Sequence, residues 1–175
     1  MSKQIKADYD MNVQEPWFSE IGNPNIHQRK TVEGRVGNEQ KHNYLIGKIV
    51  RIVTDNKYLF VKVKTVKHYD TLVDYLRAEG WKNVAPQASS YMDALEKYSQ
   101  VTTLDKEGKI TKVFADKRIE EEGGINALHL ELLSPIYNIN NKNQTKETSV
   151  RSTPTPTPVS TSPKQVSFSN KLSRK

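Results

Sequence analysis

The sequence predicts an α+β fold, and three features predict it. Residues 44–66 hold two β-branched, alternating runs joined by a polar turn, which reads as an antiparallel hairpin. Residues 70–80 and 89–98 each begin with a capping residue and carry an apolar stripe at helical spacing. A glycine pair, Gly123-Gly124, opens a last alternating run that reads as a closing strand.

Taken in order, residues 1–12 are polar and are expected to be a flexible N-terminus. Pro16 suits a first helical turn, where its missing N–H is no loss. Trp17, Phe18 and Ile21 follow as an apolar stripe, and Gly22 and Pro24 stop it. Thr31–Val36 is a candidate strand. Tyr44–Val53 is a second, rich in isoleucine and valine. After the turn Thr54-Asp55-Asn56-Lys57, Tyr58–Val66 alternates. Leu59, Val61, Val63 and Thr65 are expected on one face, with Lys62 and Lys64 on the other.

Asp70 is the expected cap of the next helix, Leu72, Tyr75 and Leu76 its buried face, and Gly80 its end. A loop from Trp81 to Ala88 leads to a cap at Ser89 or Ser90 and a helix with Tyr91, Leu95 and Tyr98 inward. Ile110–Glu122 reads as helical towards its end, with Val113 and Phe114 inward. Ile125–Leu133 is the closing strand. The folded domain is thus expected over residues 13–138. Residues 139–175, with Thr-Pro repeats and few apolar side chains, have the composition of a disordered segment.

The chain has 175 residues, no cysteine and a formal net charge of +7. Disulfides and cysteine–metal sites are excluded, and the four histidines show no metal-ligand spacing, so no metal and no cofactor are expected. No apolar stretch approaches a membrane span or a secretory leader, so the expectation is an intracellular protein without a membrane partner, working as a monomer. Much of the positive charge belongs to residues 139–175, with seven Lys/Arg and one acid. Residues 1–68 carry twelve Lys/Arg against seven acids, and residues 69–138 eight against twelve. The first half can attract phosphate and the second cannot.

The most chemically loaded segment is His27-Gln28-Arg29-Lys30-Thr31-Val32-Glu33-Gly34-Arg35. Alternation would put Thr31, Glu33 and Arg35 on one face. A carboxylate fixed beside two cations can orient them and leave one for a phosphate or a base edge. An ordinary surface strand with ion pairs would look the same. Trp17 and Phe18 suit either a core or a stacking surface for a base. Tyr69 could line the same cleft or pack on a helix. Lys62 and Lys64 could meet phosphates or simply protect a sheet edge.

Pro16-Trp17-Phe18-x-x-Ile21, followed by Lys30-Thr31-Val32-Glu33-Gly34-Arg35, resembles the signature of the ASCH domain, a branch of the PUA-like superfamily. The hairpin ending in Val66-Lys67-His68-Tyr69, the helix with Leu72 and Leu76, the helix with Tyr91 and Tyr98, and the strand at Ala127-Leu128-His129-Leu130 keep that family's order. The resemblance spans roughly residues 13–135. It implies a small, mostly antiparallel PUA-like β-barrel flanked by helices, with a cleft beside the Lys-Thr-x-Glu-x-Arg strand.

Domains of that kind commonly bind RNA, and some small bacterial members hydrolyse N4-acylated cytidines with a Lys, a Thr and a Glu. Lys30 matches the catalytic lysine, and Glu79 lies near the expected glutamate. The threonine's place is taken by Glu33, which changes the chemistry. The expectation is therefore a non-catalytic nucleic-acid-binding module, for RNA ahead of DNA or a nucleotide-like small ligand, using Arg29, Lys30, Thr31, Glu33, Arg35, Trp17, Tyr69, Lys62 and Lys64. A hydrolase of a modified nucleoside through Lys30 and Glu79, and an adaptor recruiting a protein partner through residues 139–175, are the alternatives.

Overall fold

Residues 49–69 form the long hairpin expected from their alternation, and the rest of the sheet is built around it. The computed structural model describes residues 5–104 and 109–139. The elements in chain order are β1 (Tyr9–Asn12), α1 (Trp17–Ile21), β2 (Val32–Val36), β3 (Ile49–Thr54), β4 (Lys57–Tyr69), α2 (Leu72–Glu79), α3 (Trp81–Val84), α4 (Tyr91–Tyr98), β5 (Gln100–Leu104), β6 (Ile110–Phe114), α5 (Ala115–Glu122), β7 (Ile125–Leu132) and β8 (Tyr137–Asn138). The main sheet runs β1-β3-β4-β7-β2, with β8 on β4. Only β1 and β3 are parallel; the other pairs are antiparallel. β5 and β6 pair as a separate two-stranded sheet.

The sheet curls into a half-barrel flanked by helices. Its edge strands β1 and β2 lie at opposite ends of the hydrogen-bonded order, yet an Arg35 Nη of β2 donates to the Asn12 carbonyl of β1 at 2.5 Å. One core joins Val50, Ile52, Leu59, Val61, Val63 and Leu128 to Phe18 and Ile21 of α1. A second joins Val32, Ile125 and Ala127 to Leu72, Tyr75 and Leu76 of α2, Val84 of α3 and Ile119 of α5. β7 serves both because successive side chains point to opposite faces: Leu128 enters the first core and Ala127 the second. No helix among the described residues is long and apolar enough to cross a membrane.

Several local expectations are corrected. Residues 9–12 are not loose: they add a parallel edge strand along Val50–Val53. The run from Tyr44 does not start as a strand. Asn43–Leu45 is a 3₁₀ turn, Gly47 sits at φ +78°, and extension begins at Ile49. Leu45 still reaches the first core from that turn. Thr65 does not face inward. The β4/β7 register shifts between Val63 and Thr65, so Lys64 is an extra residue that reverses the alternation. Thr65 is exposed as a result, and Val66 packs on the first core instead.

Thr71, not Asp70, caps α2 by accepting from the Asp74 N–H. Ser90 is the cap of α4 and accepts from the Asp93 N–H. The stretch 81–88 holds the short helix α3. Phe114 is 70% exposed, because residues 110–114 pair as β6 and the helix starts only at Ala115, whose inward partner is Ile119. Residues 140–175, read above as a disordered segment, lie outside the described residues.

Gly34 sets how closely α2 approaches β2. A Cβ there would lie 2.9 Å from the Tyr75 hydroxyl and 3.1 Å from Ile125 Cδ1. The Tyr75 side chain is fully buried, and its hydroxyl lies beside that of Tyr98. Gly34→Ala should therefore lower unfolding stability by about 1–3 kcal/mol through overpacking. Tyr75→Phe should recover part of that loss, since it removes the clashing atom. Urea unfolding of the two single variants and the double variant measures this.

Candidate functional site

Strand β2 presents Glu33 and Arg35 towards a cleft of about 290 Å³. Asn12, Val13 and Gln14 at the end of β1, Trp17 of α1, and Lys97 and Tyr98 of α4 form its other walls. The cleft is thus the mouth of the half-barrel, where the two edge strands fail to pair and the helices close in. Its volume is near the lower end of the roughly 300–1,000 Å³ of small-ligand sites. That is room for one nucleoside-sized group.

Lys30 lies under this cleft, not in it. Its side chain is 0% exposed. The ammonium donates to the Val84 carbonyl at 2.6 Å and to the Tyr98 hydroxyl, and sits 3.4 Å from a Glu33 carboxylate oxygen. These three acceptors match its three N–H groups. The Trp17 ring flanks it, its centroid 5.1 Å away, which adds cation–π attraction. Burial pulls the Lys30 pKa below its ordinary value, while the Glu33 charge opposes that shift. Burial also raises the Tyr98 hydroxyl well above the usual phenol range, so Tyr98 keeps its proton.

Glu33 is held from both sides. Its other oxygen lies 3.2 Å from Arg35 Nε, and its side chain is 9% exposed. Arg35, at 29%, is the more open end of the ladder Lys30–Glu33–Arg35. The ladder fixes a carboxylate edge and a guanidinium in one orientation at the cleft wall. Beside them the Trp17 ring, half-buried and packed 4.7 Å from Tyr98 at 41°, offers an aromatic surface. Together these groups can accept from an amino edge, donate to an oxygen and stack on a planar ring.

The remaining sequence-predicted residues are placed elsewhere. Arg29 spends its guanidinium on the Asn23 and Pro24 carbonyls at 2.7 and 3.0 Å, closing the turn after α1. Thr31 is clamped through its backbone between Asn83 and Leu130 and does not line the cleft. Phe18 is fully buried in the first core. Tyr69 does not complete the pocket. It ends β4, paired with Ile125 of β7 on the far side of that strand from β2, and donates to Glu79 Oε1 at 2.5 Å. Burial and that carboxylate push its pKa up to about 12. Lys62 and Lys64 lie on the outward side of the hairpin, Lys64 paired with Glu131 at 3.2 Å.

Glu79 belongs to a second cluster. Its side chain is 3% exposed and meets His129 Nε2 at 2.9 Å and Lys67 Nζ at 3.6 Å, besides Tyr69. Among the described residues no hydrogen bond or ion pair joins it to Lys30, so the two residues of the hydrolase alternative sit in different surroundings.

Two solved structures are similar to this chain. The crystal structure of the hypothetical archaeal protein PH0355 is 23% identical, covering 71% of this chain and 98% of that one, with a TM-score of 0.52. The solution structure of protein PF0455 from Pyrococcus furiosus is 21% identical, covering 72% and 97%, with a TM-score of 0.49. This chain shares the fold of PH0355. No protein-family model matches the sequence, and no curated protein does.

Sequence reasoning missed Glu20, Lys97 and the role of Tyr98. Glu20 is 5% exposed, and its Oε2 has no hydrogen-bond partner among the described residues. The charges of Lys30 and Lys97 act on it, and its backbone carbonyl accepts the Lys30 N–H at 3.0 Å. The available signal was a carboxylate three residues after Trp17, on that ring's side of the helix. Burial raises the Glu20 pKa from 4.5 to about 6.

Between those two values the folded chain holds a proton that the unfolded chain has released, so stability falls as pH rises through that window. Glu20→Gln should remove this slope. Measured by urea unfolding, the variant should be more stable than the parent at pH 7, and the gain should shrink by pH 4.5.

Proposed function

We propose that the chain is an RNA-binding module that takes a single nucleotide into the cleft between β1 and β2. The carrying observation is the Glu33 carboxylate, fixed between Lys30 and Arg35 beside the Trp17 ring. In this reading a base lies against Trp17, and Glu33 accepts from its exocyclic amine. Arg35 donates to a base oxygen or the adjoining phosphate. Lys30 works as a positioning residue: with its three N–H groups engaged, it holds Glu33 and the aromatic pair in place. The likeness of the Lys30–Arg35 strand and its upstream Trp17 to the ASCH signature supports the same reading. So does the excess of cations in residues 1–68.

The chain has two tryptophans, so Trp81→Phe leaves Trp17 as the fluorescent reporter. Titration of that variant with the four ribonucleoside monophosphates should quench Trp17, more for bases with an exocyclic amine than for uracil. Adding Arg35→Ala should weaken the binding about 10-fold or more with folding intact, the loss typical of one good base-edge or phosphate pair. Absence of quenching by all four nucleotides, or unchanged affinity in the arginine variant, contradicts the proposal.

A further inference from the structure

We infer that the outward face of β1, β3 and β4 is a second contact surface, receiving single-stranded RNA that flanks the nucleotide in the cleft. This rests on the reading of the cleft above.

The strand register makes the two places neighbours. Asn12, which lines the cleft, is opposite Val53; Val53 is opposite Tyr58; and Tyr58 is opposite Tyr137. One step along, Asp10 is opposite Arg51 and Arg51 opposite Phe60. With strands about 4.8 Å apart, Tyr58 lies roughly 10 Å from the cleft lip, one to two nucleotide steps.

That face carries what stacking bases need. Tyr58, Phe60 and Tyr137 form one aromatic group, with centroid separations of 5.7, 5.2 and 6.5 Å. Tyr137 is 39% exposed. Tyr58 and Phe60 floor a groove of about 530 Å³ whose sides include Lys6, Asp10 and Arg51. The Arg51 guanidinium is held by both Asp10 oxygens, at 2.9 and 2.5 Å, and lies 6.0 Å over the Tyr58 ring.

Arg51 and Lys64 are ion-paired on this side, with Asp10 and Glu131, and Lys6 and Lys62 add further cations. Lys62 follows Phe60 on the outward side of β4 and enters no ion pair among the described residues. Rings for bases, interleaved with cations for phosphates, are the pattern of sequence-tolerant single-strand binding. The cations also make the surface complementary to a polyanion.

The test compares the full chain's affinity for a ribonucleoside monophosphate and for a mixed-sequence RNA octamer. The octamer should bind more tightly. Tyr58→Ala with Tyr137→Ala should weaken octamer binding about 10-fold or more and leave the monophosphate unaffected. Lys62→Gln, a surface change that does not threaten folding, should reduce the salt slope of octamer binding by about one. Octamer affinity no better than that of the monophosphate, or unchanged in both variants, overturns the inference while leaving the cleft reading intact. Octamer binding lost in these variants, with no monophosphate binding at all, supports this surface and overturns the cleft reading instead. Binding of neither probe overturns both.

Discussion

A buried ammonium has to be matched by acceptors, because leaving it unpaired away from water costs several kcal/mol. Lys30 is matched from three parts of the chain: a carbonyl at the end of α3, a hydroxyl at the end of α4 and a carboxylate on β2. Its backbone N–H reaches a fourth, the Glu20 carbonyl in α1. One residue therefore ties α1, α3 and α4 to the edge strand that begins two residues after it. The arrangement of the cleft walls follows from that constraint. If the helices moved independently of β2, the charge would lose its partners.

The same constraint explains how a polar cleft survives beside two apolar cores. Glu33 neutralises Lys30 below and Arg35 above, so neither cation is solitary. Arg35 in turn reaches the Asn12 carbonyl across the gap between the edge strands. The half-barrel is thus linked at its mouth by a side chain where backbone pairing is missing. Gly34, between the two charged residues, lets Tyr75 and α2 pack against the opposite side of β2. Charge on one side and close helix packing on the other are both written into five residues of one strand. On β7, Asn126 plays a comparable part for the segment that follows β2. It is fully buried and donates to the Asn38 carbonyl at 2.9 Å and to His42 Nδ1 at 2.8 Å. Burial holds the His42 pKa near 4, so the ring stays neutral and can accept.

Most of the architecture was legible because periodicity reports burial. The β3–β4 hairpin, α2, α4 and β7 all follow from alternation or helical spacing with their caps. What escaped has identifiable causes. The four-residue strand β1 is polar because both an edge and an outward face tolerate polarity, so it carries no hydrophobic signature. The Lys64 bulge adds one residue and leaves no mark in composition. At the site, local sequence identified Lys30, Glu33, Arg35 and Trp17. It could not show that Arg29 is consumed by nearby carbonyls, or that Tyr69 faces another carboxylate. Lys97 and Tyr98 come from a distant segment and are brought to the cleft by tertiary packing that no local pattern encodes, whereas Glu20 had a local signal in its spacing from Trp17.

The central claim is that Lys30 and Glu33 are energetically coupled beneath the cleft. A double-mutant cycle on urea unfolding, using Lys30→Met, Glu33→Gln and the pair, measures that coupling directly. The account predicts a favourable coupling of about 1.5 kcal/mol or more, because each single change strands a buried partner that the double change does not. Additive losses, with coupling near zero, would contradict it.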